Sequence, residues 1–371
     1  MRLAVLGTRG VPAAYSGFET LAEELGARLA ARGHQVTVYG RRRYVPAGRR
    51  AHRGVRLVTL PTIGRKYFET VVHTALSTLH ALFQRYDAIL VCNGANAIFT
   101  LWPRLVGTGV ALNVDGHDRH RRKWGAAGRA WYWLSERFAL WFPSAIVTDA
   151  AVIGTYFRER HGVETDCIAY GASAERDEGR DVLDRYGLEP GRYILYVSRL
   201  EPENNAHAVV AAFERVISPV RLAVVGDAPY ARDYIARLKA TGDPRIVFTG
   251  GVYGRGYRQL QTHARLYVQA SEVGGTHPAL VEAMAFGHPI IANDVPEHRE
   301  VLGDAGAYFV AGEPATLTER IEALLADEAG ASELGRRAAA RARERYDWEA
   351  ITNAYEQLFV RIGSPARRRR R

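Results

Sequence analysis

Residues 193–198 read YILYVS, and residues 2–7 read RLAVLG. Each is a short apolar run that opens a series in which strand-like and helix-like stretches alternate. The first series has run its course before Tyr193 begins the second, and that restart decides the fold class. Working outward from residue 2, Phe18, Leu21, Ala22, Leu25 and Leu29 keep the i, i+3, i+4, i+7 spacing of an amphipathic helix. Gly33 closes that helix, and residues 35–39 (QVTVY) form the next strand. Further strands are expected at 55–60, 88–92, 110–114 and 145–148, with helices at 67–85 and 128–141. After Tyr193 the strands are expected at 222–225, 245–248, 266–269, 289–292 and 307–310. Such alternation builds parallel sheets with crossover helices. The expectation is therefore an α/β chain of two doubly wound domains, residues 1–170 and 190–345. Residues 171–189 read as a linker, 346–362 as a last helix anchored by Trp348 and Tyr355, and 363–371 as a disordered basic tail.

Length and composition agree. The chain has 371 residues, roughly 2.5 times the size of a typical domain of ~150. With 47% hydrophobic and 24% charged residues, a disordered, collagenous or coiled-coil protein is excluded. The net charge is +10, and five of those charges are the single run Arg367–Arg371, so the body is mildly basic. Only Lys66, Lys123 and Lys239 are lysines, so the positive charge is almost all arginine. Two cysteines, Cys92 and Cys167, make no disulfide framework and fit a reducing compartment. No leader is expected, because a strand-like run begins at residue 2. The most apolar stretch, Phe138–Thr148, is interrupted by Pro143 and falls far short of the ~20 residues that span a bilayer. A cytoplasmic location is expected.

Open α/β sheets bind ligands beyond the C-terminal ends of their strands, and two such sheets place the default site in the cleft they face. The first loop there is GTRGVPAAYSG, residues 7–17. It is neither the dinucleotide fingerprint nor a phosphate-binding P-loop. Gly10 and Gly17 would let the backbone approach a ligand. Glu19 either faces the cleft or closes a capping box with Ser16. The most informative loop is GGTHPALVEAMAFG, residues 274–287. Pro278 suits the first turn of a helix and Gly287 its end. Gly274, Gly275 and Thr276 would then offer N–H groups at the positive helix end, an anion site suited to a diphosphate. Glu282, about one turn in, could accept hydrogen bonds from the vicinal hydroxyls of a sugar, or be merely solvated.

These residues resemble the donor-binding segment of family-4 glycosyltransferases, which have the GT-B fold of two Rossmann-like domains facing a cleft. The family pattern has two glutamates separated by seven residues. Glu282 matches the second, which the resemblance assigns to the nucleotide ribose, whereas Gly274 stands in place of the first. The opening GTRGVPAAYSGFET (7–20), NVDG (113–116) and EPENN (201–205) are similar to a bacterial rhamnosyltransferase-like subgroup, so the resemblance spans about 1–350. It implies that Arg199 binds the donor diphosphate. The usual partner, a lysine five residues on, is here Asn204. It implies further that Val252 and Tyr253 frame the base, and that His117 approaches the donor sugar, with Asp115 and Asp118 beside it. His117, Arg199 and Glu282 are thus the catalytic candidates.

No Asp-x-Asp, HExxH or paired-cysteine spacing points to a metal, and no metal or cofactor is expected beyond the substrate. The expected partners are a nucleotide sugar (dTDP-rhamnose, or a UDP- or GDP-sugar) and a glycan or lipid-linked acceptor. The implied reaction is retaining, in polysaccharide biosynthesis for the cell envelope. The basic segments Arg41–Arg43, Arg49–Arg50 and Arg119–Lys123 could meet an anionic membrane, and no nucleic-acid module accompanies them. Trp131, Leu134, Phe138 and Trp141 are spaced for one helix face and are expected in the core. A nucleotide-sugar epimerase and a non-catalytic nucleotide-sugar or polyanion binder remain as alternatives. An epimerase would act without an acceptor, and a binder without turnover.

Overall fold

The computed structural model describes residues 1–65, 68–114, 116, 121 and 124–363. Two compact units are present: Met1–Tyr170 together with the chain from Trp348 onward, and Gly171–Asp347.

The first unit is built on a sheet with the strand order β3-β4-β2-β1-β5-β6-β7-β8. Its strands are β1 (Arg2–Leu6), β2 (Gln35–Arg41), β3 (Ala51–His52), β4 (Val55–Leu60), β5 (Ala88–Cys92), β6 (Gly109–Val114), β7 (Ala145–Thr148) and β8 (Asp166–Cys167). Apart from β3, which pairs antiparallel with β4, neighbours are parallel, with Leu3 opposite Val36 on one side and Ala88 on the other. Helices α1 (Gly17–Ala31), α2 (Glu69–Leu82), α3 (Leu101–Leu105), α4 (Ala126–Ala139) and α5 (Ala151–His161) connect them, with a 3-10 turn at Gly94–Thr100. α1 buries Phe18, Leu21, Ala22, Leu25 and Leu29, the stripe expected from its spacing. Side chains alternate across each strand, so the sheet has two cores. Leu3, Val5, Val36, Val38 and Leu90 face α1, while Ala4, Leu6, Ile89, Val91 and Leu112 face the layer of Ala81, Ala97, Ala139 and Phe157.

The second unit holds β9 (Tyr193–Val197), β10 (Arg221–Val225), β11 (Ile246–Gly250), β12 (Leu266–Gln269), β13 (Ile290–Asn293) and β14 (Ala307–Phe309). They form an all-parallel sheet in the order β11-β10-β9-β12-β13-β14. The helices are α6 (Asp181–Tyr186), α7 (Ala206–Phe213), α8 (Arg232–Leu238), α9 (Gly254–His263), α10 (Pro278–Phe286), α11 (Pro296–Leu302), α12 (Pro314–Ala326) and α13 (Glu328–Arg345). Ile194, Val209, Phe213, Leu222 and Val268 are in its core.

Two boundaries differ from the sequence expectation. Residues 171–189 are part of the second unit, not a linker. Within them the Val182 N–H donates to Gln259 at 3.1 Å, and Leu183 is fully buried, so local charge hid a packed helix. The last helix, α14 (Trp348–Ile362), returns to the first unit. Trp348, Ile351, Tyr355, Leu358 and Phe359 enter the α1-side core, and Asn113 donates to the Tyr355 hydroxyl at 2.9 Å. The tail from residue 364 lies outside the described residues.

Candidate active site

In the second sheet the chain runs β9 to β10 to β11 outward, then returns to place β12 on the other side of β9. The loops after β9 and β12 therefore diverge, leaving the crevice in which open α/β sheets take ligands. Both loops carry candidate residues. Glu272 donates its N–H to the Glu203 carbonyl at 2.9 Å. Asn205 donates to the Ala270 carbonyl at 2.9 Å and to Glu272 Oε1 at 3.0 Å. The crevice thus has cross-linked walls.

Arg199 follows β9, with Nη1 3.8 Å from Glu201 Oε2 and its side chain 27% exposed. Asn204 is different: it is buried, and its amide donates to the Arg199 carbonyl at 2.7 Å while Tyr196 donates to its own carbonyl at 2.7 Å. It shapes the backbone that carries Arg199. Of the two amide N–H donors of Asn204, which the resemblance places near the diphosphate, one is taken by this bond.

Across the crevice, Pro278 occupies the first turn of α10 and Gly287 its left-handed C-cap. The first N–H groups of a helix have no intrahelical acceptor, and they concentrate positive potential. Gly274, Gly275 and Thr276, which lead into that end, are buried. At Gly274 (φ +158°) a Cβ would meet the His277 ring, 2.5 Å from Cε1 and 2.6 Å from Nε2. The His277 ring thus fills the space into which a side chain at 274 would grow. It is held there by Ser271 Oγ at 3.0 Å, which also accepts from Gln269 Nε2 at 2.6 Å. Behind it His298, fully buried, donates to the Asn293 carbonyl at 2.8 Å, and burial lowers its pKa to about 4. None of these companions was picked out from the sequence, although a histidine three residues past a missing glutamate was a usable signal.

Glu282 is half-buried one turn into α10, and Tyr257 of α9 donates to its Oε2 at 2.6 Å. Gln261 in turn donates to the Tyr257 hydroxyl at 2.7 Å. Burial, with the Glu282 charge next, pushes the Tyr257 pKa well up, so the phenol stays a donor. The carboxylate is thereby oriented. Val252 and Tyr253 precede α9, and Tyr253, its N-cap, is 47% exposed.

In the first unit the corresponding switch lies between β1 and β5. Gly7 (φ +90°) ends β1 against the Cys92 carbonyl, where any Cβ would collide. Gly10 is packed on Gly40 and Val45, a backbone-to-backbone approach that leaves no room for a Cβ, and Gly17 begins α1. Glu19 is buried, and its carboxylate accepts from the N–H groups of Arg9 at 2.8 Å and Ser16 at 2.7 Å. The capping box is present, and it also pins the loop. Beyond it lies a charge cluster the sequence did not reveal. The Arg9 guanidinium stands 3.4 Å from the Tyr15 ring centroid and 4.6 Å from that of Tyr44. Glu69 lies 3.9 Å from Arg9 and 3.4 Å from Arg41. Arg41 is 3% exposed, so it is no surface cation, contrary to the reading of the 41–43 run. His73 donates to the Gly40 carbonyl at 3.1 Å and is held neutral, its pKa lowered to about 4 by burial and by Arg41. His117, Asp115 and Asp118 lie outside the described residues. Among the described residues no group of three His, Cys, Asp or Glu could hold a metal ion.

Known proteins match this architecture. The profile described as glycosyl transferases group 1 matches residues 191–327, and the glycosyltransferase 4-like domain matches residues 16–171. The sucrose-phosphate synthase of Thermosynechococcus elongatus superposes with a TM-score of 0.81 at 21% identity, covering 97% of this chain and 98% of that one. HepE of Anabaena, solved with UDP and glucose, gives 0.78 at 18% identity over 97% and 99% of the two chains. The phosphatidyl-myo-inositol mannosyltransferase of Mycobacterium leprae (strain TN) is 29% identical over 240 residues, 62% of this chain and 59% of that protein. Across the curated relatives the match spans between 31% and 60% of their own lengths. The fold is thus that of the GT-B glycosyltransferases. By its two domain matches the chain belongs to the group 1, family-4-like glycosyltransferases.

Proposed function

We propose that the protein transfers a sugar from a nucleoside-diphosphate sugar to a glycan or lipid-linked acceptor, with retention at the anomeric carbon. The observation that carries this reading is the crevice between β9 and β12, where Arg199 stands on one wall and the N-terminus of α10 and Glu282 on the other. In this reading the bond from the anomeric carbon to the phosphate oxygen breaks, and the diphosphate leaves with the electron pair. The acceptor oxygen takes the carbon, and its proton is released to solvent. Arg199 and the α10 amides meet the charge that develops on the leaving group, a placement typically worth about 2–4 kcal/mol of barrier per donor. They supply the counter-charge here, and no metal is assigned. Glu282, oriented by Tyr257, takes the ribose hydroxyls, and Val252 and Tyr253 border the base. HepE bears UDP in its solved complex, which supports a uridine donor. The opening motif supports dTDP-rhamnose. The mycobacterial relative's name supports an acceptor of lipid type.

The test is a panel of UDP-, GDP- and dTDP-sugars incubated with the protein, with release of nucleoside diphosphate as the readout and chelator in a parallel arm. One donor is expected to be consumed faster with acceptor present, and to the same extent with chelator. A donor isomerised without release would mark an epimerase. Tight binding with no turnover of any donor would mark a binding protein.

A further inference from the structure

The two helix layers of the first unit present unlike surfaces. Over the α1 side, mixed charges pair: Arg28 with Glu24 and Glu349, and Arg32 with Glu349 and Glu356. The opposite layer is α2, the 3-10 turn, α3, α4 and α5. Eleven of the sixteen large hydrophobic side chains that the described residues expose lie between Ile63 and Trp141, on this layer or at its edge. Phe83 at the end of α2 is 78% exposed, Leu105 of α3 73%, and Trp141 past α4 75%. Trp102, Val106 and Trp133 are exposed with them. Arg104 ties the patch together, donating to the carbonyls of Trp141 at 2.7 Å and Phe142 at 3.1 Å. The expected core stripe on α4 is thus only half right. Trp131 donates inward to the Ala95 carbonyl at 3.0 Å, whereas Leu134 and Trp141 face out.

Between residues 61 and 144 the exposed charge on this layer has one sign, while α5 adds Glu159 between Arg158 and Arg160. Arg65, Arg85, Arg104 and Arg129 are exposed. Of the described acids between 61 and 144, Glu69 is buried, Asp87 accepts from the Arg2 N–H at 2.7 Å, and Glu136 bonds Tyr156 and His161, each at 2.8 Å. Indole and phenyl rings interleaved with arginines suit the boundary between lipid headgroups and acyl chains. A second copy of the same face would set arginine against arginine. No helix among the described residues is long and apolar enough to cross a membrane.

We propose that this face is a docking surface for an anionic phospholipid bilayer, with Leu105, Trp141 and Phe83 entering the headgroup region and the arginines meeting lipid phosphates. The surface differs from the segments read from the sequence: Arg41 and Arg121 are buried, Arg42 and Arg43 are exposed, and residues 119, 120, 122 and 123 lie outside the described residues. It extends the reading of a membrane-near acceptor, but it is tested with no sugar nucleotide present, so either can fail alone.

The experiment is co-sedimentation of the full chain with vesicles of phosphatidylcholine alone and of phosphatidylcholine with phosphatidylglycerol. Binding is expected only to the anionic vesicles and should weaken with salt. Leu105→Glu with Trp141→Glu should lower the affinity at least about tenfold, since it removes apolar insertion and adds repulsion. Arg85→Glu with Arg129→Glu should do the same and flatten the salt dependence, whereas Ile217→Glu, exposed on the second unit, should change nothing. Circular dichroism checks that each variant is folded. Equal binding by the folded Leu105/Trp141 variant, or no binding to either vesicle, overturns the proposal. So does a concentration-dependent dimer in sedimentation velocity that the same variant dissolves, which would make the face a self-interface.

Discussion

Glu282 is oriented by a buried hydroxyl of the neighbouring helix. Tyr257 donates to it at 2.6 Å. Glu282→Gln should weaken nucleoside-diphosphate binding by roughly 1.5–3 kcal/mol, because an amide replaces a charged acceptor. Tyr257→Phe should weaken it less, by on the order of 1 kcal/mol, through loss of orientation alone. Titration calorimetry on folded variants checks both, and unchanged affinity in the first would remove Glu282 from the site. Gly274 poses the complementary case. A glutamate there, restoring the family pattern, runs into the His277 ring. Gly274→Glu alone should therefore lower the melting temperature, and pairing it with His277→Ala should recover most of the loss. If the double variant melts no higher than the single, the two positions do not share that space.

At the scale of elements, the loops after β9 and β12 act as one device because Asn205, Glu272 and Glu203 link them. Arg199→Ala should cut turnover about 10²–10³-fold, the usual cost of removing one donor to developing charge. Asn204→Ala should cost mainly stability, about 1 kcal/mol, by freeing the Arg199 carbonyl. Asn204→Lys should destabilise the second unit and leave diphosphate affinity no better, since position 204 is buried. Denaturant midpoints and donor affinity separate these outcomes. The elements themselves were largely legible in the sequence, since every strand from 193 onward shows a run of apolar residues that a fully buried parallel strand requires. Glu282, Arg199 and Pro278 could be placed because they sit at fixed offsets from strand and helix ends. What could not be read was what touches them. Tyr257 reaches Glu282 across 25 residues, and Arg41 meets Glu69 across 28, so neither pair leaves a local pattern. Arg41 looked like part of a basic run because burial is a tertiary property.

Across the whole molecule, two consequences follow from where groups are buried. His73, His288 and His298 are buried with pKa values lowered to about 4, while an unfolded histidine titrates near 6.5. As the pH falls below 6.5 the unfolded chain takes up protons that the folded chain refuses, so stability present at neutral pH is lost between pH 6.5 and 4. Each histidine contributes on the order of 2–4 kcal/mol to that loss. Urea midpoints should fall steeply over this window, and a flat profile from pH 6.5 to 4.5 would contradict the burial. The second consequence concerns α14, which ends a chain whose second unit it does not join. Tyr355 is fully buried, Phe359 2% and Trp348 4% exposed, all against residues of the first unit. Burying such side chains stabilises by roughly 1.5–3 kcal/mol each, and α14 contributes five, which is comparable to the entire 5–15 kcal/mol of a domain. A chain ending at Asp347 should therefore keep its second unit folded and lose the first, although every residue of β1 to β8 remains. Limited proteolysis should then digest residues 1–170 and spare 171–347, whereas a chain ending at Gly363 should resist throughout. Tyr355→Ala in the full chain should shift the same balance part of the way, by about 3–5 kcal/mol, through the cavity and the unpartnered Asn113 amide. A truncated chain whose first unit still unfolds cooperatively at an unchanged midpoint would mean that α14 only covers the sheet and does not hold it.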